Sequence, residues 1–128
     1  MPRSLSRANR AWEALMQAHT TVLREFAADP MWRDHGLTMR EYDVLYALAK
    51  LQRGGGPVRI GDLQHGVLLS QPALSRMVDR LADRGLIERA SDETDRRAVC
   101  VRLSEAGREL RDSLGRAHAR DVARVVAG

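Results

Sequence analysis

A single cysteine, Cys100, stands in the 128 residues, which excludes an internal disulfide and suits a reducing compartment. The four histidines, His19, His35, His65 and His118, are scattered, and neither they nor Cys100 have zinc spacing, so no metal is expected. No nucleophile-elbow glycine pattern frames a serine. The chain is therefore not expected to be an enzyme or to carry a cofactor. The glycines at 54–56 lack the preceding hydrophobic strand and the Gly-Lys-Ser/Thr ending of a P-loop, so 52–57 reads as a flexible loop closed by Pro57. No apolar run is long enough to span a bilayer and no signal-peptide pattern occurs, so a cytoplasmic protein without a membrane partner is expected. Internal repeats and low-complexity tracts are absent.

What is present is an excess of arginine. The formal net charge is +4 and the pI is near 10.2, which suits a polyanionic partner while saying little about fold. At this length the chain is expected to be one domain with a real core.

The most informative stretch is 68–97. Ser70 is a hydroxyl where a helix needs its N-cap, and Pro72 lies in the first turn, where a missing N–H costs nothing. Leu74, Met77, Val78 and Leu81 fall at i, i+3, i+4 and i+7, one buried helical face, and Gly85 follows as a left-handed cap. Ser70, Gln71, Pro72, Ala73, Ser75, Arg76 and Arg80 remain outward, a set suited to base edges in a major groove. A plain solvated helix carries a similar mix, so that reading stays open on the helix alone. Leu86-Ile87-Glu88-Arg89, a polar turn through 91–95, and the alternating Val99-Cys100-Val101-Arg102-Leu103 predict a hairpin. An arginine near its tip, Arg97, can enter a narrow minor groove. Asp95, two residues earlier, either braces that guanidinium or satisfies backbone donors in the turn. An ordinary solvated loop is the alternative here.

The segment GDLQHGVLLSQPALSRMVDRLADRGLIERASDETDRRAVCVRLSEAGREL resembles the winged helix-turn-helix core of the MarR (multiple antibiotic resistance regulator) family. Its most specific parts are a helix ending LxxRGLI, the loop with Asp95-Arg96-Arg97, and the LSEAG opening of the next helix. The resemblance implies a mainly α fold with a small β-wing and helices at both termini forming a dimerisation region. It also implies a homodimeric transcriptional regulator, usually a repressor, that releases double-stranded DNA when a small ligand or oxidant acts.

The remaining elements fit this frame. Residues 6–28 predict a helix, with Trp12, Leu15, Met16, His19, Val22, Leu23 and Phe26 in a broad stripe that must cover the domain or a second subunit. Residues 28–37 read as a connection around a short turn at 31–33, in which Trp32 plugs a gap. Thr38-Met39-Arg40-Glu41 is a capping box, with Leu37 and Tyr42 placed for the hydrophobic staple. Tyr42, Leu45, Leu48 and Ala49 form the inner stripe of that helix, which ends near Lys50. Residues 58–60 suit a short strand pairing with the later hairpin, and 61–66 the first helix of the helix-turn-helix. Gly61 stands where the family more often has a hydroxyl cap. Ser104 caps the closing helix, whose apolar edge is Leu110, Leu114, Ala117, Val122 and Val125, interrupted by Asp121. The divisions expected are 1–37 for the N-terminal dimerisation helix and linker, 38–103 for the DNA-binding core and 104–128 for the C-terminal dimerisation helix. Family members commonly run on into a further helix that completes the dimer; ending at Gly128, this chain is expected to be a short member or a trimmed one.

The expected mechanism places two copies of the helix from Ser70 in successive major grooves of a near-palindromic operator, with half-sites about one turn, roughly 10 bp, apart. Gln71, Ala73 and Ser75 would read bases, Arg76 a guanine or a phosphate, and Arg97 the minor groove. Ser70, Arg89 and Arg96 would hold phosphates. An effector pocket, for an aromatic or phenolic small molecule, is expected near Trp12, Met16, His19, Tyr42 and Tyr46, residues that would serve equally as core. Cys100 reads as a small edge-of-core residue; a redox role would need exposure and a lowered pKa. The rival functions are a non-specific DNA-coating protein, with steep salt dependence and no base preference, and a winged-helix protein-interaction module.

Overall fold

The computed structural model describes residues 2–52, 56–92, 94–95 and 97–128. The chain falls into two compact units, Met1–Gly36 and Leu37–Gly128. In the first unit, α1 (Arg3–Ala27) buries no residue, and Trp12 and Leu15 on its apolar stripe are each 59% exposed. The connection expected after it contains a short helix, α2 (Pro30–Asp34), capped by the Asp29 side chain accepting from Met31 N at 2.9 Å. Five residues offer too little periodicity to be read as a helix from sequence. Trp32 is buried, and its indole N–H donates to the Phe26 carbonyl at 2.6 Å.

In the second unit, α3 (Met39–Leu51) opens with both halves of the capping box: Thr38 N donates to Glu41 Oε1 at 3.0 Å, and Glu41 N to Thr38 Oγ1 at 3.1 Å. Leu37 and Tyr42, the staple pair, are both buried. The helix buries Val44 and Ala47 beside Tyr42, Leu45 and Leu48, a wider face than the stripe read from sequence, while Ala49 is only half-buried. Of the glycine loop, residues 53–55 lie outside the described residues.

Three antiparallel strands, β1 (Val58–Arg59), β2 (Ile87–Ser91) and β3 (Val99–Leu103), form a sheet in the order β1-β3-β2. Val58 pairs with Val101, and Ile87 through Ser91 pair with Leu103 back through Val99. Cys100 sits between Arg59 and Ala90, 2% exposed, too enclosed for the exposure a redox thiol needs. Between the strands lie α4 (Ile60–Gln64) and α5 (Gln71–Asp83). No side chain caps α4, but its N-cap is Arg59: Ile60, read as strand, and Gly61, read as the cap position, both lie inside the first turn. The last element, α6 (Glu105–Ala127), starts at Ser104, whose hydroxyl accepts from Gly107 N at 3.0 Å and donates to Gly85 O at 2.5 Å. The core is built from Leu45 and Leu48 of α3, Leu63 of α4, Leu74, Val78 and Leu81 of α5, Ile87 and Val101 of the sheet, and Leu114 of α6, all 2% exposed or less.

Candidate nucleic-acid interface

The local chemistry of α5 follows its sequence. Ser70 Oγ accepts from Ala73 N at 3.3 Å, and Pro72 occupies the first turn. At the other end Gly85, at φ +76°, closes the helix. Gly85 N donates to Ala82 O and Leu86 N to Leu81 O, each at 2.9 Å, the paired bonds of a Schellman cap. The four apolar residues at helical spacing, Leu74, Met77, Val78 and Leu81, are all buried. Gln71, Pro72, Arg76 and Arg80 are therefore exposed, as is Ser70, with Ala73 and Ser75 half-exposed beside them.

The β2–β3 ribbon is braced at its end by carboxylates. Asp92 accepts from Thr94 N at 2.8 Å, from Thr94 Oγ1 at 2.7 Å and from Arg59 Nε at 2.8 Å. These bonds, with the Thr94 amide first among them, hold its carboxyl well below the usual carboxylate range. The Arg59 guanidinium is pushed up in turn by the same pairing. Asp95 takes the second of its two expected roles: its Oδ1 accepts from Arg97 N at 3.0 Å, and its carbonyl accepts from Ala98 N at 3.1 Å. Arg97 is thus carried on a fixed turn with an exposed side chain. Arg96 lies outside the described residues. Arg89 is not left to solvent alone, because its guanidinium pairs with Asp79 of α5. On the outer ribbon, Arg102 pairs with Glu88 at 3.2 Å.

One more arginine, absent from the set read by sequence, reaches this region. Arg40 of α3 donates to the Leu68 carbonyl at 3.4 Å, two residues before the cap of α5. The two residues are 28 apart, so no periodicity could have joined them.

A second feature lies between α3 and α6. Tyr42, Asp43, Tyr46, Gly115, His118 and Val122 line part of a hollow of about 530 Å³. The Tyr42 ring meets the His118 ring edge-on at 5.7 Å and lies 6.2 Å from that of Tyr46, and the Arg111 guanidinium stands over Tyr46 at 5.3 Å. Burial pushes the Tyr42 hydroxyl above its ordinary value, against the lowering effect of Arg111. Burial likewise raises the Asp43 carboxyl, offset in part by His118 and Arg40. Of the five pocket residues expected from sequence, Tyr42 and Tyr46 line this hollow; Trp12, Met16 and His19 belong to α1 in the other unit. His118 and Val122 were not foreseen, since only the pairing of α3 with α6 brings them to the tyrosines. Among the described residues no group of three or more His, Cys, Asp or Glu is placed to hold a metal ion. No helix among them is long and apolar enough to cross a membrane.

Residues 35–98, which hold α3 through the wing loop, match the family model described as MarR family. The HTH-type transcriptional repressor NicR of Pseudomonas putida is 33% identical over 98 residues, covering 77% of this chain and 56% of the relative. The HTH-type transcriptional regulator PecS of Dickeya dadantii is 30% identical over 92 residues, covering 70% and 54% respectively. The chain thus spans little more than half the length of these curated relatives. Among solved structures, AbsC, a MarR family transcriptional regulator from Streptomyces coelicolor, superposes with a TM-score of 0.80 at 26% identity, covering 93% of this chain and 78% of that one. Helix-turn-helix, braced wing and these likenesses agree: the chain belongs to the MarR family of winged helix-turn-helix transcriptional regulators.

Proposed function

We propose that this protein is a cytoplasmic, sequence-specific repressor that binds a near-palindromic operator as a homodimer and is released by a small aromatic or phenolic effector. The observation that carries the reading is the outer face of α5, where Gln71, Pro72, Arg76 and Arg80 are exposed over a fully buried apolar stripe, beside a ribbon whose turn is tied down under Arg97. In this reading Gln71, Ala73 and Ser75 meet base edges, Arg76 a guanine or a phosphate, and Arg97 the flanking minor groove. Ser70 and Arg96 contact phosphates, and Asp95 holds Arg97 in position. Supporting the dimer is α1, whose Trp12 and Leu15 leave a large apolar stripe open. The segment 104–128 would join it in the dimerisation region, flanking a DNA-binding core at 38–103. The effector would enter the tyrosine-lined hollow between α3 and α6, against Tyr42 and Tyr46.

Selection of bound sequences from a random duplex library at near-physiological salt tests this. Enrichment of an inverted repeat with half-sites about one helical turn apart is the expected result. Binding without enrichment would point to a DNA-coating protein, and no binding at all to a protein partner.

A further inference from the structure

The outer face of α5 is not uniformly basic. Asp79 follows Arg76 by three residues and precedes Arg80 by one, so a carboxylate stands among the arginines turned away from the core. Its partner is Arg89, opposite Val101 in the β2–β3 ladder and therefore on the sheet face where Val101 is fully buried. Arg89 emerges from that face toward α5 and pairs with Asp79 there, both side chains being more than half exposed. Among the described residues no carboxylate is paired with Arg76, Arg80 or Arg97. On this face of α5, Arg76 and Arg80 are exposed to an incoming duplex, while Arg89 is already held by the protein.

We infer that Asp79 acts as a brake on DNA affinity: it holds Arg89 off the phosphate backbone and sets how tightly the protein binds a duplex. The inference rests on the DNA-binding reading above and deepens it. Duplex affinity is dominated by phosphates neutralised and counterions released, so an arginine committed to an internal carboxylate contributes little to either. An exposed pair of this kind is weak, so its loss leaves the fold standing while freeing the guanidinium. A repressor that must let go of its operator gains from a contact set below the maximum its arginines could make.

The test is a two-by-two set, wild type, Asp79→Asn, Arg89→Ala and the double variant, titrated against a mixed-sequence duplex of about three helical turns over about 50–200 mM salt. Thermal melting of each variant checks that the fold is intact. Asp79→Asn is expected to bind several-fold more tightly and to steepen the log–log salt dependence by about 0.9, the slope of one further phosphate contact. Arg89→Ala is the baseline for the double variant, which is expected to show no gain over it. If Asp79→Asn binds more tightly by the same factor with Arg89 absent, the effect is the general field of a removed negative charge, and the inference is overturned. Unchanged or weaker binding by Asp79→Asn overturns it as well, showing the pair to be a strut that positions the ribbon. A wild-type chain that binds no duplex brings down the underlying DNA-binding reading with the inference, whereas wild-type binding without the gain removes the inference alone.

Discussion

Gly107→Ala is the substitution whose cost can be worked most directly from the geometry. A Cβ added at Gly107 would stand 2.1 Å from the Leu86 carbonyl oxygen, 3.0 Å from its carbon and 3.4 Å from Leu103 Cδ2. Since carbon-to-oxygen contacts settle at about 3.3 Å or beyond, the first turn of α6 and the backbone at Leu86 must part by roughly an ångström. Neither side yields easily. Leu86 O accepts from Ser104 N at 3.1 Å, Ser104 Oγ binds both Gly85 O and Gly107 N, and Leu86 and Leu103 are buried. Forcing a methyl into such a site costs about 1–3 kcal/mol, and a hydrogen bond lost from the junction adds about 1 kcal/mol. Replacing a helical glycine by alanine returns about 1 kcal/mol. The net destabilisation expected is about 1–3 kcal/mol, which for a unit of this size lowers Tm by roughly 4–24 °C. The assay is thermal unfolding followed by far-UV circular dichroism at one fixed protein concentration, because dimerisation would make Tm concentration-dependent. Gly61→Ala is the contrast: nothing lies within 4 Å of its added Cβ, so the same chemical change should leave stability equal or slightly higher. If Gly107→Ala melts within about 3 °C of the wild type, the close approach of α6 to Leu86 does not hold the fold as described.

Three further outcomes follow from the interface. Arg76→Ala should weaken operator binding by about 1–3 kcal/mol and relax the preference at one base position; an unchanged selected sequence would make Arg76 a phosphate contact. Arg97→Ala should weaken binding, and unchanged affinity in the same titration would favour a protein partner over DNA for this surface. The third concerns Asp92, whose carboxyl is held below its unfolded value of about 3.9 by the Thr94 and Arg59 bonds. A depressed folded pKa means that its stabilisation is complete above the unfolded value and is lost only as pH falls through the folded one. The ribbon tip should therefore be indifferent to pH from about 5 to 8 and loosen only in strong acid. Carboxyl NMR should find the Asp92 midpoint below the ordinary range, and a midpoint near about 4 would contradict the brace.

The comparison between chain and fold is clearest residue by residue. The capping box at Thr38, the Ser70 and Ser104 caps, the Gly85 closure and the buried face of α5 were all legible, because each depends on residues three to seven apart along one helix. The two wing strands were legible for the same kind of reason, alternation at period two, and β1 pairs with the hairpin as expected. The winged helix-turn-helix architecture and the family were legible as a resemblance, carried by the LxxRGLI helix end, the Asp95-Arg96-Arg97 loop and the LSEAG helix opening. Other features depended on what folding sets side by side. Gly107 stood in a quoted motif without a reason until α6 was laid across the Leu86 carbonyl. Arg40 reaches Leu68 over 28 positions, and His118 meets Tyr42 only because α6 packs on α3. Asp79 of α5 and Arg89 of β2 meet only because helix and strand are placed together. Local periodicity determines which face of an element is buried; which charged tips then meet above that face is decided by the packing of elements distant in the chain, and there the tertiary structure alone decides.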